Sequence, residues 1–196
     1  MNWLTLVGLI AWLYILSVLR RGKLGFWHFL VGSAGLFVFL IIFVQPLLTI
    51  PLTKAVTIVS GSIGKVLDLF EGYPDYSLLF IWNKSGAISL IVDYECAGII
   101  ELIAFFSLLF FFPAYVCMEK IFVGIFGGLY LFFANVIRLV IICITISMFG
   151  NEAYFIAHTI VGRIIFYGLS MLLYYVVFTK TQIIRQKVGN FHYEDE

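Results

Sequence analysis

The chain has 196 residues, 63% of them hydrophobic and 12% charged, where a soluble domain carries about 45–50% and about 25%. A folded domain of about 150 residues still exposes roughly a third of its surface, so this composition excludes soluble globular, disordered, collagen-like and nucleic-acid-binding classes. Lys and Arg number 12 against 11 Asp and Glu, which names no electrostatic partner, and three Cys do not make a disulfide scaffold.

A membrane-spanning helix needs about 20 mostly apolar residues to cross about 30 Å of hydrocarbon. Apolar runs at 3–19, 26–48, 96–115, 121–149 and 153–178 predict five such helices. The expected fold is an all-α polytopic integral membrane protein, one domain over 1–196. The first run is followed by Arg20, Arg21 and Lys23, the reverse of the charge order in a signal peptide, and is kept as a span.

Orientation follows the basic residues flanking the spans. One set of ends carries Arg20, Arg21, Lys23, Lys120, Lys180, Arg185 and Lys187; the other carries Lys54, Lys65 and Lys84. Seven against three puts the first set in the cytoplasm, with the N-terminus outside, the C-terminus inside and segment 49–95 extracytoplasmic. Within that segment Leu52, Val56, Val59, Ile63, Val66, Leu67 and Phe70 recur at helical spacing, with Pro51 fitting the first turn. Lys54, Thr57, Ser60, Gly61, Gly64, Lys65 and Asp68 form the opposite face. The expectation is an amphipathic helix lying flat on the outer leaflet. Tyr76–Trp82 and Ala87–Val92, around Asn83-Lys84-Ser85-Gly86, predict a small β-hairpin. Residues 139–149 are apolar and in excess of what the fourth span needs.

An ionisable side chain inside a span costs at least about 2.5–3.5 kcal/mol at the helix centre. Glu101, Arg138, His158 and Arg163 are such residues. The topology puts Cys96, at the start of the third span, at the same depth as Arg138 and His158 on two other helices. A thiol, a guanidinium and an imidazole at one level can form a nucleophilic centre. The cations lower the thiol pKa, the His moves a proton, and the Arg stabilises the thiolate or an oxyanion. Asn135 shares the helix face of Arg138, one turn away. Glu101 and Arg163 stand at equal offsets below Cys96 and His158, which predicts an ion pair tying the two helices. Taken singly, each of these residues also has a structural reading: a buried Cys as a small hydrophobe, as for Cys117 and Cys143, and a His or Arg at the interface. With three His and no Cys/His cluster at ligand spacing, neither a metal nor another cofactor is implied.

The runs Asp93-Tyr94-Glu95-Cys96-Ala97-Gly98-Ile99, Asn135-Val136-Ile137-Arg138-Leu139 and His158-Thr159-Ile160-Val161-Gly162-Arg163 resemble the exosortase/archaeosortase family. That family carries a Cys-small-Gly motif, an Asn-x-x-Arg motif and a later His followed by Gly on successive membrane helices. The likeness covers about residues 50–178, and the short chain is most similar to the exosortase G type of Gram-positive bacteria. It implies a membrane-embedded cysteine protease/transpeptidase that processes surface proteins ending in a sorting motif, a membrane helix and a basic tail. Cys96 would be the nucleophile, Arg138 the electrostatic stabiliser and His158 the acid/base. Water, or an amine or hydroxyl of a surface glycan or lipid, would be the acceptor. The chain departs from the pattern at Ala97, where Ser is commoner; Glu101 and Arg163 lie outside it.

Two rival readings stay open at this level. In one, the chain is a transporter or assembly subunit whose intramembrane charges are structural, so that Cys96 is dispensable and Glu101 and Arg163 are not. In the other, Arg138 and Arg163 bind a lipid phosphate, although the acidic motif that would hold Mg²⁺ is absent.

Overall fold

The structure is a computed structural model and describes residues 3–83 and 86–183. In chain order its elements are helices α1 (Trp3–Arg21), α2 (Gly25–Phe43) and α3 (Gln45–Leu67), strands β1 (Phe70–Tyr73), β2 (Leu78–Asn83) and β3 (Gly86–Ile91), then helices α4 (Ile99–Phe111), α5 (Cys117–Phe149) and α6 (Asn151–Ile183). The turn residues Lys84 and Ser85, and the tail with Arg185, Lys187 and Gly189–Glu196, lie outside the described residues. The architecture is an all-α membrane protein carrying one small sheet.

Among the described residues, four helices are long and apolar enough to cross a membrane: α2, α3, α5 and α6. This partly redraws the expected spans. The second ends at Phe43, because the chain breaks at Val44 before Gln45 and Pro46 open α3. The helix expected to begin near Pro51 therefore starts six residues earlier and keeps Pro51 inside it. The third expected span is a helix of 13 residues, about 20 Å at 1.5 Å per residue.

The expected orientation of α3 is only partly met: Val56 is buried, but so is the small-residue stripe of the opposite face. Thr53, Thr57, Ser60, Gly61 and Gly64 are buried, while Ile63, Val66 and Leu67 are exposed, Val66 by 86%. The reason is size. A Cβ on Gly61 would sit 2.6 Å from the Cα of Gly72, so only a stripe of small side chains lets β1 lie directly on the helix. Close backbone approach through small residues is how helices associate in lipid, where apolar side chains gain nothing by leaving the surface. The hydroxyls on this stripe find local partners: Thr57 donates to the Thr53 carbonyl over 2.8 Å, and Ser77 to Thr53 Oγ1 over 3.2 Å.

The sheet is three antiparallel strands in the order β1-β2-β3, one more than the hairpin expected. β1 pairs Phe70 with Ile81, and β2 pairs Phe80 with Ser89. It also accounts for the excess apolar residues 139–149. They continue α5 without a break, giving a helix of 33 residues, about 50 Å long. Val56 of α3, Phe70, Ile81 and Leu90 of the sheet and Ile142 and Ile146 of α5 form one core, and Cys96 belongs to it. Ser147 adds a hydrogen bond of 3.1 Å to the Trp82 carbonyl.

α6 is not α-helical throughout. Residues Ala157–Val161 form a π-helical turn, and Tyr175–Lys180 another. The first of these carries His158.

Candidate active site

The chain leaves β3 at Ile91 and turns back before α4 starts at Ile99. Cys96 therefore lies in a turn ahead of the helix, not on it. Asp93 holds that turn: its Oδ1 accepts the N–H of Cys96 at 2.9 Å and its carbonyl accepts the N–H of Ala97 at 2.9 Å, the geometry that makes Asp a turn residue. Gly98 closes it with φ +71°, a left-handed conformation that suits glycine.

Two helices converge on this turn. From α5, Asn135 Nδ2 donates to the carbonyl of Cys96 at 2.6 Å, and Arg138 Nη1 to the carbonyl of Glu95 at 3.4 Å. From α6, His158 brings its Nε2 to 3.2 Å from the Cys96 sulfur. Tyr154, one turn earlier, stacks on the imidazole with planes 2° apart and ring centroids 5.9 Å apart. Phe166 lies under the Arg138 guanidinium at 5.5 Å.

Arg138 is only 5% exposed, and its Nε has no hydrogen-bond partner. Among the described residues the one ion pair is Lys54–Asp75, at 3.5 Å, so no carboxylate touches Arg138, and Glu101 acts on it only at longer range. A buried guanidinium without a directly paired carboxylate is costly, and beside a thiol it offers a positive site for charge that develops there. At rest, burial pushes the Cys96 thiol well above an ordinary thiol; the Asp93 carboxylate adds to the shift and Arg138 opposes it. Arg138 does not outweigh desolvation, so the pKa of the thiol is raised rather than lowered as expected.

The Glu101–Arg163 ion pair is not formed. Glu101 is half-buried on α4, where its own carbonyl accepts the Tyr174 hydroxyl at 3.4 Å, and Arg163 is exposed on α6. Equal offsets set equal depth but not equal direction: five residues turn an α-helix by about 140° from where it started. The offset from Cys96 also runs partly through a turn rather than a helix.

A family model described as transmembrane exosortase (Exosortase_EpsH) matches residues 1–176. The chain belongs to the transmembrane exosortase family. No curated protein and no solved structure matches it. In this exosortase Cys96, Arg138, His158 and Asn135 meet in one place, whereas Glu101 and Arg163 do not join them. Gly98, the glycine of the Cys-small-Gly run, belongs to the surroundings, and Asp93, Tyr154 and Phe166 complete them without having been given a role from the sequence. Two of them left a signal there. Asp93 stands three residues before Cys96, the spacing of a side chain that caps a turn. Tyr154 stands four before His158, the spacing of neighbours on one helix face.

Proposed function

We propose that this exosortase is a membrane-embedded cysteine peptidase/transpeptidase acting on C-terminal sorting signals of membrane-anchored proteins. The observation that carries the reading is the 3.2 Å approach of His158 Nε2 to the Cys96 sulfur, within reach for proton transfer.

With its pKa raised, the Cys96 thiol gives its proton to His158 as the sulfur attacks the scissile carbonyl carbon. The C=O electron pair becomes an oxyanion, which Arg138 stabilises. Collapse breaks the C–N bond, His158 returns the proton to the departing amine, and a thioester to Cys96 remains. Water, or an amine or hydroxyl of a glycan or lipid, then attacks the thioester and gives its proton to His158. The C–S bond breaks and the sulfur is reprotonated. Asn135 and Asp93 hold the Cys96 backbone through both halves and exchange no protons.

The distribution of basic residues supports an extracytoplasmic site: the sheet end of the molecule carries Lys54 and Lys65, the opposite end Arg20, Arg21, Lys23 and Lys120. The substrate's own membrane helix would lie beside the spans and present its scissile bond at the Cys96 turn.

The test is replacement of the chromosomal copy by Cys96→Ala, Arg138→Ala or His158→Ala, followed by the fate of membrane proteins with a C-terminal apolar helix and basic tail. Accumulation of uncleaved precursors in all three strains is the expected result. A Cys96→Ala strain that processes them at the normal rate would leave the non-catalytic subunit as the better reading.

A further inference from the structure

The open edge of β3 points at a substrate-binding mode. The bonding pattern of the sheet identifies which of its groups are free. Trp82 donates to the Leu69 carbonyl at 3.4 Å, so the even-numbered residues of β2 face β1. Val92 donates to the Ser77 carbonyl at 2.8 Å, and the register continues through Leu79↔Leu90 and Ile81↔Ile88. The backbone groups of Ile88 and Leu90 are therefore used by β2, and those of Ala87, Ser89 and Ile91 point the other way. β2 is the only substantial neighbour of β3 among the described elements. Ala87, Ser89 and Ile91 are exposed, Ile91 by 66%.

Proteins ordinarily protect such an edge with Lys, Pro, a bulge or a covering helix. The other edge, β1, is covered by α3. β3, Gly86-Ala87-Ile88-Ser89-Leu90-Ile91, carries no charge and no Pro, and its pairing with β2 runs without a bulge. An open edge is not stable in hydrocarbon, so this one lies where water or another chain can reach it. The strand is also continuous with the site: Leu90 and Val92 share a core with Cys96, and Asp93, two residues past β3, holds the Cys96 turn.

We infer that the segment of substrate next to the scissile bond binds as a fourth strand along β3, held by the backbone groups of Ala87, Ser89 and Ile91 and led by the edge to Cys96. This rests on the reading of Cys96 as nucleophile, and it deepens that reading by naming an extended peptide, recognised through its main chain, as the bound form. Main-chain pairing tolerates many side chains, so it can be probed without the natural substrate.

The probe is an acetyl-tetraalanine chloromethyl ketone, with iodoacetamide as the reagent that has no peptide to dock. Both alkylate Cys96 in the full-length protein in membranes, read by mass spectrometry. Ser89→Pro removes one outward N–H and no bond to β2. The expected result is that the peptide reagent's rate advantage over iodoacetamide falls about tenfold in Ser89→Pro, roughly the worth of one backbone hydrogen bond, while the iodoacetamide rate is unchanged. N-methylation of the peptide amides should remove the same advantage. A rate ratio that neither change moves would overturn the inference. Should Cys96 react with neither reagent, the nucleophile reading fails separately. The edge is then judged by benzoylphenylalanine placed at position 91, as it also is if Ser89→Pro slows iodoacetamide. A cross-link to a tetraalanine peptide sustains the inference; a cross-link to a second copy of the chain, or none, ends it.

Discussion

The carbonyl of Cys96 accepts a hydrogen bond of 2.6 Å from Asn135 Nδ2, one turn before Arg138 on the same helix. The two polar residues of α5 thus divide the work: one fixes the backbone that carries the sulfur, the other supplies charge beside it. Asn135→Ala leaves that carbonyl without its partner, at a cost of about 1–3 kcal/mol. Peptide cleavage should fall at least tenfold while Arg138 stays in place, checked by single-turnover rates alongside thermal unfolding in detergent.

The thiol should titrate late. Its alkylation rate by iodoacetamide should rise with pH to a midpoint above the value of about 8.5 for a free thiol. Arg138 favours the thiolate and Asp93 disfavours it. Removing the cation in Arg138→Ala should therefore raise the midpoint further, and removing the carboxylate charge in Asp93→Asn should lower it. Opposite signs in the two pH profiles would contradict the electrostatics described for the site.

Gly98→Ala meets two obstacles at once. The left-handed backbone at φ +71° strains any other residue, by about 1–3 kcal/mol. The new Cβ would also sit 3.3 Å from Asn135 Cγ. The expected outcome is a folded, membrane-inserted chain with cleavage reduced more than tenfold, measured by circular dichroism and single-turnover kinetics.

The Tyr154–His158 stack predicts a difference between two replacements. Tyr154→Phe keeps the ring and should stay within about twofold of the original rate. Tyr154→Ala frees the imidazole to turn and should lose about two- to tenfold, in line with about 0.5–1.5 kcal/mol for an aromatic pair. The readout is the pH profile of the acylation rate, which should change shape in Tyr154→Ala.

Gly61→Ala tests the seat of the sheet on α3. Its methyl group would press on the backbone of Gly72, which has no flexible end to give way. A loss of about 1–3 kcal/mol in stability is expected, read from unfolding in detergent.

The membrane class and the meeting of a thiol, a guanidinium and an imidazole were legible in the sequence, because polar groups stand out against an apolar background and depth follows from counting residues. Direction around a helix axis was not. That is why Glu101 and Arg163 seemed matched and are not, and why α3 was read with its small polar stripe facing water. Hydrophobicity predicts which face is buried only when water is the alternative; for Val66 and Ile63 lipid is as good a neighbour as protein. Asp93 and Gly98 act through the backbone of a turn, which a count of buried charges does not reveal, although the spacing of Asp93 before Cys96 and the Gly of the motif both hint at it.

The π-helical turn at Ala157–Val161 has a consequence for phase. His158, beside the sulfur, and Phe166, beneath the guanidinium, are eight residues apart on α6, and a regular α-helix would point them about 80° away from each other. A wide turn takes up roughly one extra residue and closes most of that angle, so a single helix addresses both ends of the reacting group. The site is in this sense built on an inserted residue: forcing the same eight residues into a regular α-helix would swing one contact away as the other is kept, whereas deleting one position between Ala157 and Val161 would leave the two about 20° apart and both in place.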